Sequence, residues 1–132
     1  MARIHAAAFP ASRAWAVREI AGLIEGPGGF AVDAPDGFAL GRVIAGEAEL
    51  LTIAVDPAAQ GAGQGRALLD AFEEAARGRA GESAFLEVAQ DNAQALALYR
   101  AAGWAETGRR PGYYARVGAA PVDAILMSKS LL

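Results

Sequence analysis

Apolar residues recur along the chain at two different spacings, and these spacings predict helices and strands in turn. Intervals of three to four residues, as in Val17, Ile20 and Ile24, are typical of one face of a helix, whereas short apolar runs bounded by turn residues favour strands. The predicted elements are, in chain order, a helix over residues 12–25, strands over residues 30–32, 38–44 and 49–55, a helix over residues 66–79, a strand over residues 84–88, a helix that ends at residue 102, and two strands over residues 104–109 and 122–128. This order indicates one α/β domain over residues 1–132, with a mixed β-sheet flanked by helices.

Two connections carry residues that bear on structure and function. Asp91 or Asn92 is a good N-cap for the helix that ends at residue 102, and Gly103 lies at its C-terminal end. The other connection is the predicted loop between the last two strands, which contains Arg109, Arg110, Tyr113 and Tyr114. A loop rich in arginine and tyrosine is suited to holding a peptide, although such residues are also common on surfaces that bind nothing.

The composition narrows the chemistry that the chain can perform. With 12 Lys and Arg against 15 Asp and Glu, the net charge is −3, which does not favour nucleic-acid binding. The sequence contains no cysteine and a single histidine, His5, so disulfides, thiolate metal sites and a cysteine nucleophile are excluded and no metal site is expected. Acid–base chemistry must therefore depend mainly on carboxylates and tyrosines.

The N-terminal segment and the apolar runs bear on the cellular compartment. No apolar run approaches the ~18 residues that a membrane span requires, and Pro10 and Arg13 interrupt the N-terminal segment before a secretory signal could form. The sequence therefore predicts a cytoplasmic protein without a membrane partner. It gives no indication of the oligomeric state.

A glycine-rich segment lies between the predicted strand over residues 49–55 and the helix that follows it. Gly61, Gly63 and Gly65 allow a ligand to approach the backbone closely, and the first N–H groups of a helix have no partner within it. Such an arrangement attracts phosphate oxygens. Arg66 follows Gly65, so the segment lacks both the Gly-Lys-Ser/Thr of a Walker A loop and the last glycine of a dinucleotide fingerprint. A plain glycine-rich connection without a ligand is the alternative.

The segment from Gln60 to Gly65 reads Q-x-x-G-x-G and resembles the loop with which GNAT acetyltransferases hold the pyrophosphate of acetyl-CoA. Its flanks stand in the order and spacing of that family. They are Thr52-Ile53-Ala54-Val55-Asp56-Pro57 before the loop, and Leu86-Glu87-Val88, Asn92, Ala97-Leu98-Tyr99 and Gly103-Trp104 after it. Together these motifs are similar to the branch of ribosomal-protein-alanine N-acetyltransferases (the RimI type), closely over residues 49–126 and loosely over the residues before them.

The chain departs from the family pattern at two places. Phe9-Pro10 followed by Trp15 and a helix resembles the substrate-side region of this branch. Family members have a first strand and a full first helix ahead of that region, whereas only about eight residues precede Phe9 here, so the first strand is expected to be missing or truncated. Gly61 stands where relatives often have arginine, which removes one cation near the pyrophosphate. Arg66 could partly compensate for it.

The resemblance implies roles for individual residues, with acetyl-CoA as co-substrate and no metal. The strand residues Ile53, Ala54 and Val55 would pair with the pantetheine arm and hold the thioester carbonyl. Glu87 would be the catalytic base and Tyr99 the catalytic acid. The remaining cofactor-binding positions are Gly61, Ala62, Gly63, Gln64, Gly65 and Arg66 in the pyrophosphate loop, and Asn92.

The chemistry of acetyl transfer agrees with the roles of Glu87 and Tyr99. An amine must be neutral to attack a thioester, so a base has to remove a proton, and the departing thiolate needs a proton donor. Glu87 lies in an apolar strand, where a carboxylate is costly unless it meets water, a partner or a cleft. The alternatives are a solvated Glu87 and a Tyr99 that is only a core aromatic. Glu47 or Glu49 could share the proton transfer.

The resemblance also implies the reaction and the partner. The protein would transfer acetyl directly, in a ternary complex, to a protein N-terminal α-amine, and the expected partner is the N-terminal alanine of a small-subunit ribosomal protein. A covalent acetyl-enzyme is not expected because the sequence has no cysteine to form the usual one. Two alternatives remain open: an acetyltransferase that acts on lysine or a small-molecule amine, and a non-catalytic module that binds acyl-CoA.

Overall fold

The computed structural model describes residues 28–59 and 63–132. Several expectations concern residues outside these ranges: the helix over residues 12–25, the missing or truncated first strand, His5, and Gly61 and Ala62 of the pyrophosphate loop. They stay predictions, as does the single domain over residues 1–132.

A single six-stranded sheet runs through the described residues, with its strands in the order β1-β2-β3-β4-β6-β5. Neighbouring strands are antiparallel except β3 and β4, which are parallel. The predicted mixed sheet is confirmed, and each predicted strand lies within an observed strand to within one residue. The strands are β1 (Gly29–Ala34), β2 (Gly37–Ile44), β3 (Glu47–Val55), β4 (Ser83–Ala89), β5 (Ala105–Arg116) and β6 (Ala119–Ser130).

Two α-helices, α1 (Gln64–Gly78) and α2 (Ala93–Ala101), pack into one core on the same face of the sheet, and a short 3-10 helix (Pro57–Ala59) follows β3. The connection from β3 to β4 runs through α1, because a parallel pair needs a crossover. Phe72 of α1 stacks on Phe30 of β1 with ring centroids 5.7 Å apart. Among the described residues, no helix is long and apolar enough to cross a membrane.

The pairing of β3 with β4 ends soon after it begins. Only three residue pairs join the two strands, from Glu47 opposite Ser83 to Glu49 opposite Phe85. Beyond this point the two strands diverge, and β3 keeps its pairing with β2 on the other side. A gap therefore opens in the middle of the sheet.

A β-bulge lies where the gap begins. Leu40 of β2 lies opposite Thr52, but the next residue, Gly41, lies opposite Leu50. Leu51 is thus an extra residue in β3, and an extra residue of this kind bends a strand and increases its twist. The bulge gives a local physical reason for the divergence of β3 from β4.

The prediction of a loop between the last two strands that contains residues 109–114 is wrong. Residues 109–114 lie within β5, which pairs with β6 up to a turn at residues 117–118. Pro111 and Gly112 indicate a loop in the sequence, but they lie at a shift in the strand register. The N–H of Gly112 donates to Asp123 Oδ1 at 3.0 Å, and a bulge is one of the few places where a strand tolerates proline.

A buried carboxylate that the sequence does not single out joins α1 to the C-terminal strands. Glu73 is 3% exposed. Its Oε1 pairs with Lys129 Nζ at 2.7 Å, and its Oε2 accepts from Trp104 Nε1 at 3.3 Å. Lys129 also donates to the carbonyl of Ala102 at 2.7 Å. Because a buried charge is costly unless it is paired, this cluster fixes the position of α1 against the sheet.

Replacing Glu73 with alanine should lower the free energy of unfolding by about 2–3 kcal/mol, because Lys129 and Trp104 would lose their acceptor in a buried site. Urea denaturation followed by circular dichroism measures the change. Glu74→Ala is the matched control, since Glu74 is exposed and contacts Arg77 at 3.8 Å. It should change stability by less than about 0.5 kcal/mol. Equal losses in the two variants would contradict the role of Glu73.

Candidate functional site

The gap between β3 and β4 makes the backbone of β3 accessible to a ligand. Ile53, Ala54 and Val55 lie beyond the point where the two strands part, and they pair with β2 on their other side. In an antiparallel pair, alternate residues direct their N–H and C=O groups away from the partner strand. This part of β3 therefore directs backbone donors and acceptors into the gap, where an extended chain can pair with them as another strand would.

The first turn of α1 has backbone N–H groups without a carbonyl partner in the helix. Gly63 is the N-cap, in the left-handed region with φ 81°, and no described side chain caps the helix. The first intrahelical hydrogen bond runs from Ala67 N to Gly63 O at 3.1 Å. The N–H groups of Gln64, Gly65 and Arg66 therefore have no acceptor within the helix. No acidic side chain of the turn itself compensates the positive end of the helix dipole, which favours an anion here.

The side chains of this turn are engaged within the protein. Gln64 Oε1 accepts from Asp36 N at 3.1 Å and Gln64 Nε2 donates to Asp36 Oδ2 at 3.2 Å, which ties α1 to the turn between β1 and β2. Arg66 Nε donates to Asp70 Oδ1 at 3.1 Å. Exposed pairs of this kind are weak. Arg66 can therefore exchange Asp70 for a ligand, whereas Gln64 is expected to offer its backbone N–H.

Asn92 lies at the start of α2, and its predicted N-cap role is confirmed. Its Oδ1 accepts from Ala95 N at 3.2 Å. Within the part of the chain that the structure describes, its Nδ2 makes no hydrogen bond, so this nitrogen remains a donor. The start of α1 lies against the second half of α2, since a Cβ on Gly65 would lie 3.5 Å from Leu98 Cδ2.

Glu87 lies on β4 and points away from the helices. Its neighbours Leu86 and Val88 belong to the core under α1 and α2. Because side chains alternate along a strand, Glu87 and Phe85 are on the opposite face. The Glu87 side chain is 27% exposed, and its Oε1 pairs with Arg110 Nη2 at 3.1 Å. Glu87 is therefore a partly shielded carboxylate with a cationic partner.

Tyr99 lies on α2, is 8% exposed, and packs against Trp104 with ring centroids 6.1 Å apart. Its hydroxyl makes no hydrogen bond to another described residue, yet none of their fully buried side-chain polar atoms lacks a partner. The hydroxyl therefore reaches the surface. Burial raises the pKa of Tyr99 to about 12, because desolvation disfavours the phenolate. At neutral pH the hydroxyl is thus a protonated donor without an acceptor.

Glu87 and Tyr99 lie on opposite faces of the sheet. Tyr99 belongs to the core on the helix side, together with Leu86 of β4, whereas Glu87 is on the other side of that strand. The divergence of β3 from β4 connects the two faces. Glu87 lies two residues beyond the last pair that joins β4 to β3, so its carboxylate borders the gap. A contact between a ligand in the gap and Tyr99 stays a prediction.

Arg110 and Tyr114 of β5 lie close to Glu87, and sequence reasoning missed both contacts. Burial, and then the negative charge of Glu87, raise the pKa of Tyr114, so its phenol lies within electrostatic reach of the carboxylate. Tyr114 also forms an edge-to-face pair with Tyr113, with centroids 5.1 Å apart. No local pattern in the sequence marks these contacts, because only the register of β4, β6 and β5 brings the residues together.

Glu49 and Glu47 lie on the face that carries Glu87. Glu49 belongs to the last residue pair that joins β3 to β4, so it borders the gap. Its Oε1 pairs with Arg42 Nη2 at 2.7 Å, while Glu47 is exposed. Both line a shallow depression with Arg42 and Phe85. A share of either carboxylate in proton transfer stays a prediction.

Comparison with known proteins relates this arrangement to acetyltransferases. The model of the acetyltransferase (GNAT) family matches residues 4–104. The N-alpha-acetyltransferase RimI of Mycobacterium tuberculosis is 46% identical over 90 residues, which are 68% of this chain and 53% of that protein. The [ribosomal protein bS18]-alanine N-acetyltransferase of Escherichia coli is 41% identical over 91 residues, which are 69% of this chain and 61% of that protein.

The likeness extends to a solved structure. The crystal structure of the ribosomal-protein-S18-alanine N-acetyltransferase from Escherichia coli superimposes with a TM-score of 0.86 at 31% identity, over 98% of this chain and 84% of that chain. The chain spans less than two thirds of the length of the two curated relatives that it matches.

An acidic residue at the N-cap of α1 should weaken the binding of coenzyme A. Gly63→Asp adds a carboxylate beside the first-turn N–H groups, Gly63→Asn adds nearly the same shape without the charge, and both residue types tolerate a left-handed backbone. A Cβ on Gly63 meets no atom within 4 Å, so both variants should fold.

Isothermal titration calorimetry at low salt compares the two variants. The dissociation constant for coenzyme A should be about tenfold higher for Gly63→Asp than for Gly63→Asn, because the added charge repels a diphosphate at the helix terminus. Equal constants for the two variants would contradict an anion site at this turn.

Proposed function

The chain belongs to the GNAT family of acetyltransferases, and we propose that it transfers the acetyl group of acetyl-CoA to the N-terminal α-amine of a protein. The observation that carries this proposal is the gap between β3 and β4, where pairing stops after three residue pairs. The gap offers a place for the thioester between a carboxylate and a hydroxyl donor.

The groups around the gap fit the parts of acetyl-CoA in turn. Within Ile53, Ala54 and Val55, the backbone groups that point away from β2 can pair with the amides of an extended pantetheine arm. The N–H groups of the first turn of α1 suit the diphosphate. The Arg66 side chain adds a cation at the start of α1, and the Asn92 side chain adds an amide donor at the start of α2. These contacts would hold the thioester where β3 and β4 part.

Glu87 is the proposed base. Its carboxylate would accept a proton from the attacking amine, directly or through one water, as the amine nitrogen forms a bond to the thioester carbon. Backbone N–H groups of β3 in the gap would stabilise the charge that develops on the carbonyl oxygen. Collapse of the tetrahedral intermediate then breaks the carbon–sulfur bond and releases the thiolate on the helix side.

Tyr99 is the proposed donor to that thiolate. Its pKa of about 12 keeps the hydroxyl protonated at neutral pH, and this value exceeds the ~8.5 of an ordinary thiol. Full loss of the tyrosine proton to sulfur is therefore unfavourable, whereas a hydrogen bond from the hydroxyl lowers the energy of the departing thiolate throughout the step. With no cysteine in the sequence, the usual covalent acetyl-enzyme is not available.

The choice of an α-amine as acceptor is supported by basicity and by the relatives. A protein α-amino group has a pKa near ~8, against ~10.4 for lysine, so a larger fraction of α-amines than of lysine side chains is neutral at pH 7. A single carboxylate can therefore deprotonate an α-amine more readily than a lysine. The Escherichia coli relative, which this chain resembles in both sequence and solved structure, is named for acetylating the alanine of ribosomal protein S18. We therefore infer the N-terminal alanine of that ribosomal protein as the substrate.

Incubation of the protein with acetyl-CoA and three peptides tests this function. The first peptide is the N-terminus of ribosomal protein bS18, the second is the same peptide with its α-amine blocked, and the third begins with a different residue and contains a lysine. Mass spectrometry should find one acetyl group on the α-amine of the first peptide only. Modification of lysine would make the protein a lysine acetyltransferase, and coenzyme A binding without any transfer would make it an acyl-CoA-binding module.

Glu87→Gln and Tyr99→Phe should each lower kcat about 100-fold while the binding of acetyl-CoA changes little, because the first removes the base and the second removes the hydrogen-bond donor to the thiolate, and each keeps the shape of the side chain. Steady-state kinetics with the bS18 peptide measures kcat, and calorimetry measures binding. Glu106→Gln is a control, since Glu106 contacts Arg109 at 3.5 Å on another part of the surface. Turnover that is unchanged in both variants would contradict the assigned roles.

A further inference from the structure

We propose that Arg110 is a positioning residue that holds the Glu87 carboxylate in place for proton transfer, a role that rests on the function proposed above. Arg110 Nη2 contacts Glu87 Oε1 at 3.1 Å. No other ion pair of Glu87 occurs among the described residues, so Oε2 is left for the acceptor amine. The guanidinium thus restricts the carboxylate through one oxygen and leaves the other for chemistry.

The sheet places Arg110 so that only a long side chain can make this contact. Arg110 of β5 lies opposite Ala124 of β6, and Ala124 lies opposite Ala89 of β4. Glu87 is two residues before Ala89 and shares its face. The guanidinium therefore has to reach across β6 to β4, a span of roughly 10 Å between outer strands. Ala124 on β6 is small and leaves room for the Arg110 side chain.

An aromatic contact supports the guanidinium from its other side. The Arg110 Cζ lies 5.5 Å from the ring centroid of Tyr113, which favours this orientation through a cation–π interaction. The adjacent Arg109 has different partners, since it pairs with Asp123 at 3.3 Å and with Glu106 at 3.5 Å. Arg110 is thus the arginine of this strand that is directed to Glu87.

The exposure of the pair separates a positioning role from a structural one. The side chains of Arg110 and Glu87 are 55% and 27% exposed, and ion pairs near the surface contribute little to stability. Loss of the pair should leave the fold intact. It should, however, release the Glu87 side chain, and small errors in the placement of a catalytic group can slow a reaction strongly.

Three single variants provide the first test. Arg110→Ala should lower kcat with the bS18 peptide about tenfold while the KM for acetyl-CoA stays unchanged. Arg110→Lys, which retains the charge but not the planar fork, should recover part of the loss. Arg79→Ala is the matched control. Arg79 lies at the C-terminal end of α1, and its Cζ stacks on the Phe30 ring at 4.4 Å from the ring centroid, so this variant should leave kcat unchanged. Thermal melting checks that all three variants fold.

A double-mutant cycle with Glu87→Gln provides the second test. If Arg110 acts through Glu87, Arg110→Ala should lower kcat by less than about twofold in the Glu87→Gln background. An equal loss in both backgrounds, or no loss in either, would overturn the inference while the proposed function stands. Wild-type turnover in Glu87→Gln would instead overturn the base assignment, and absence of transfer by the unaltered protein would overturn the proposed function.

Discussion

The early end of the pairing between β3 and β4 is the constraint on which the rest of the site depends. Three residue pairs join the strands, and the bulge at Leu51 then bends β3 away. Backbone groups inside a sheet must find partners in protein, water or ligand. A sheet that withdraws one strand from another at its centre therefore creates a row of donors and acceptors of defined spacing. The proposed pantetheine site follows directly from that row, because an extended arm supplies the partners that β4 does not.

The alternation of side chains along β4 divides the proposed chemistry between two faces. Leu86 and Val88 belong to the core with Tyr99, while Glu87 points to the opposite side. The acceptor amine would approach from the face of Glu87, and the thiolate would depart on the face of Tyr99. This division keeps the carboxylate away from the phenol, whose burial raises its pKa to about 12. The two groups can therefore remain a base and a donor at the same pH.

The two ends of α1 serve different purposes. Its second half is fixed by buried Glu73, whose oxygens contact Lys129 and Trp104. Its first turn is uncapped by any described side chain and begins at Gly63 in a left-handed conformation. A side-chain cap would stabilise this terminus, since capping residues satisfy the free N–H groups. The first turn instead has no such cap, as the proposed anion site requires, and the Glu73 cluster and the apolar face of the helix contribute its stability.

For the described residues, the sequence alone determined the order of strands and helices, the mixed sheet, an N-cap at Asp91 or Asn92, the family, and the candidate residues on β4 and α2. These follow from apolar spacing and short motifs, which are local properties of the chain. The tertiary structure decided that Arg110 contacts Glu87, that Gln64 binds Asp36, that Glu73 is buried, and that residues 109–114 form a strand. Each of these depends on strand register or helix packing between residues distant along the chain. The pairing partner of a side chain depends on which strands are neighbours, and β4 and β6 are neighbours in the sheet although they are not consecutive along the chain, so no single segment of the sequence shows their register.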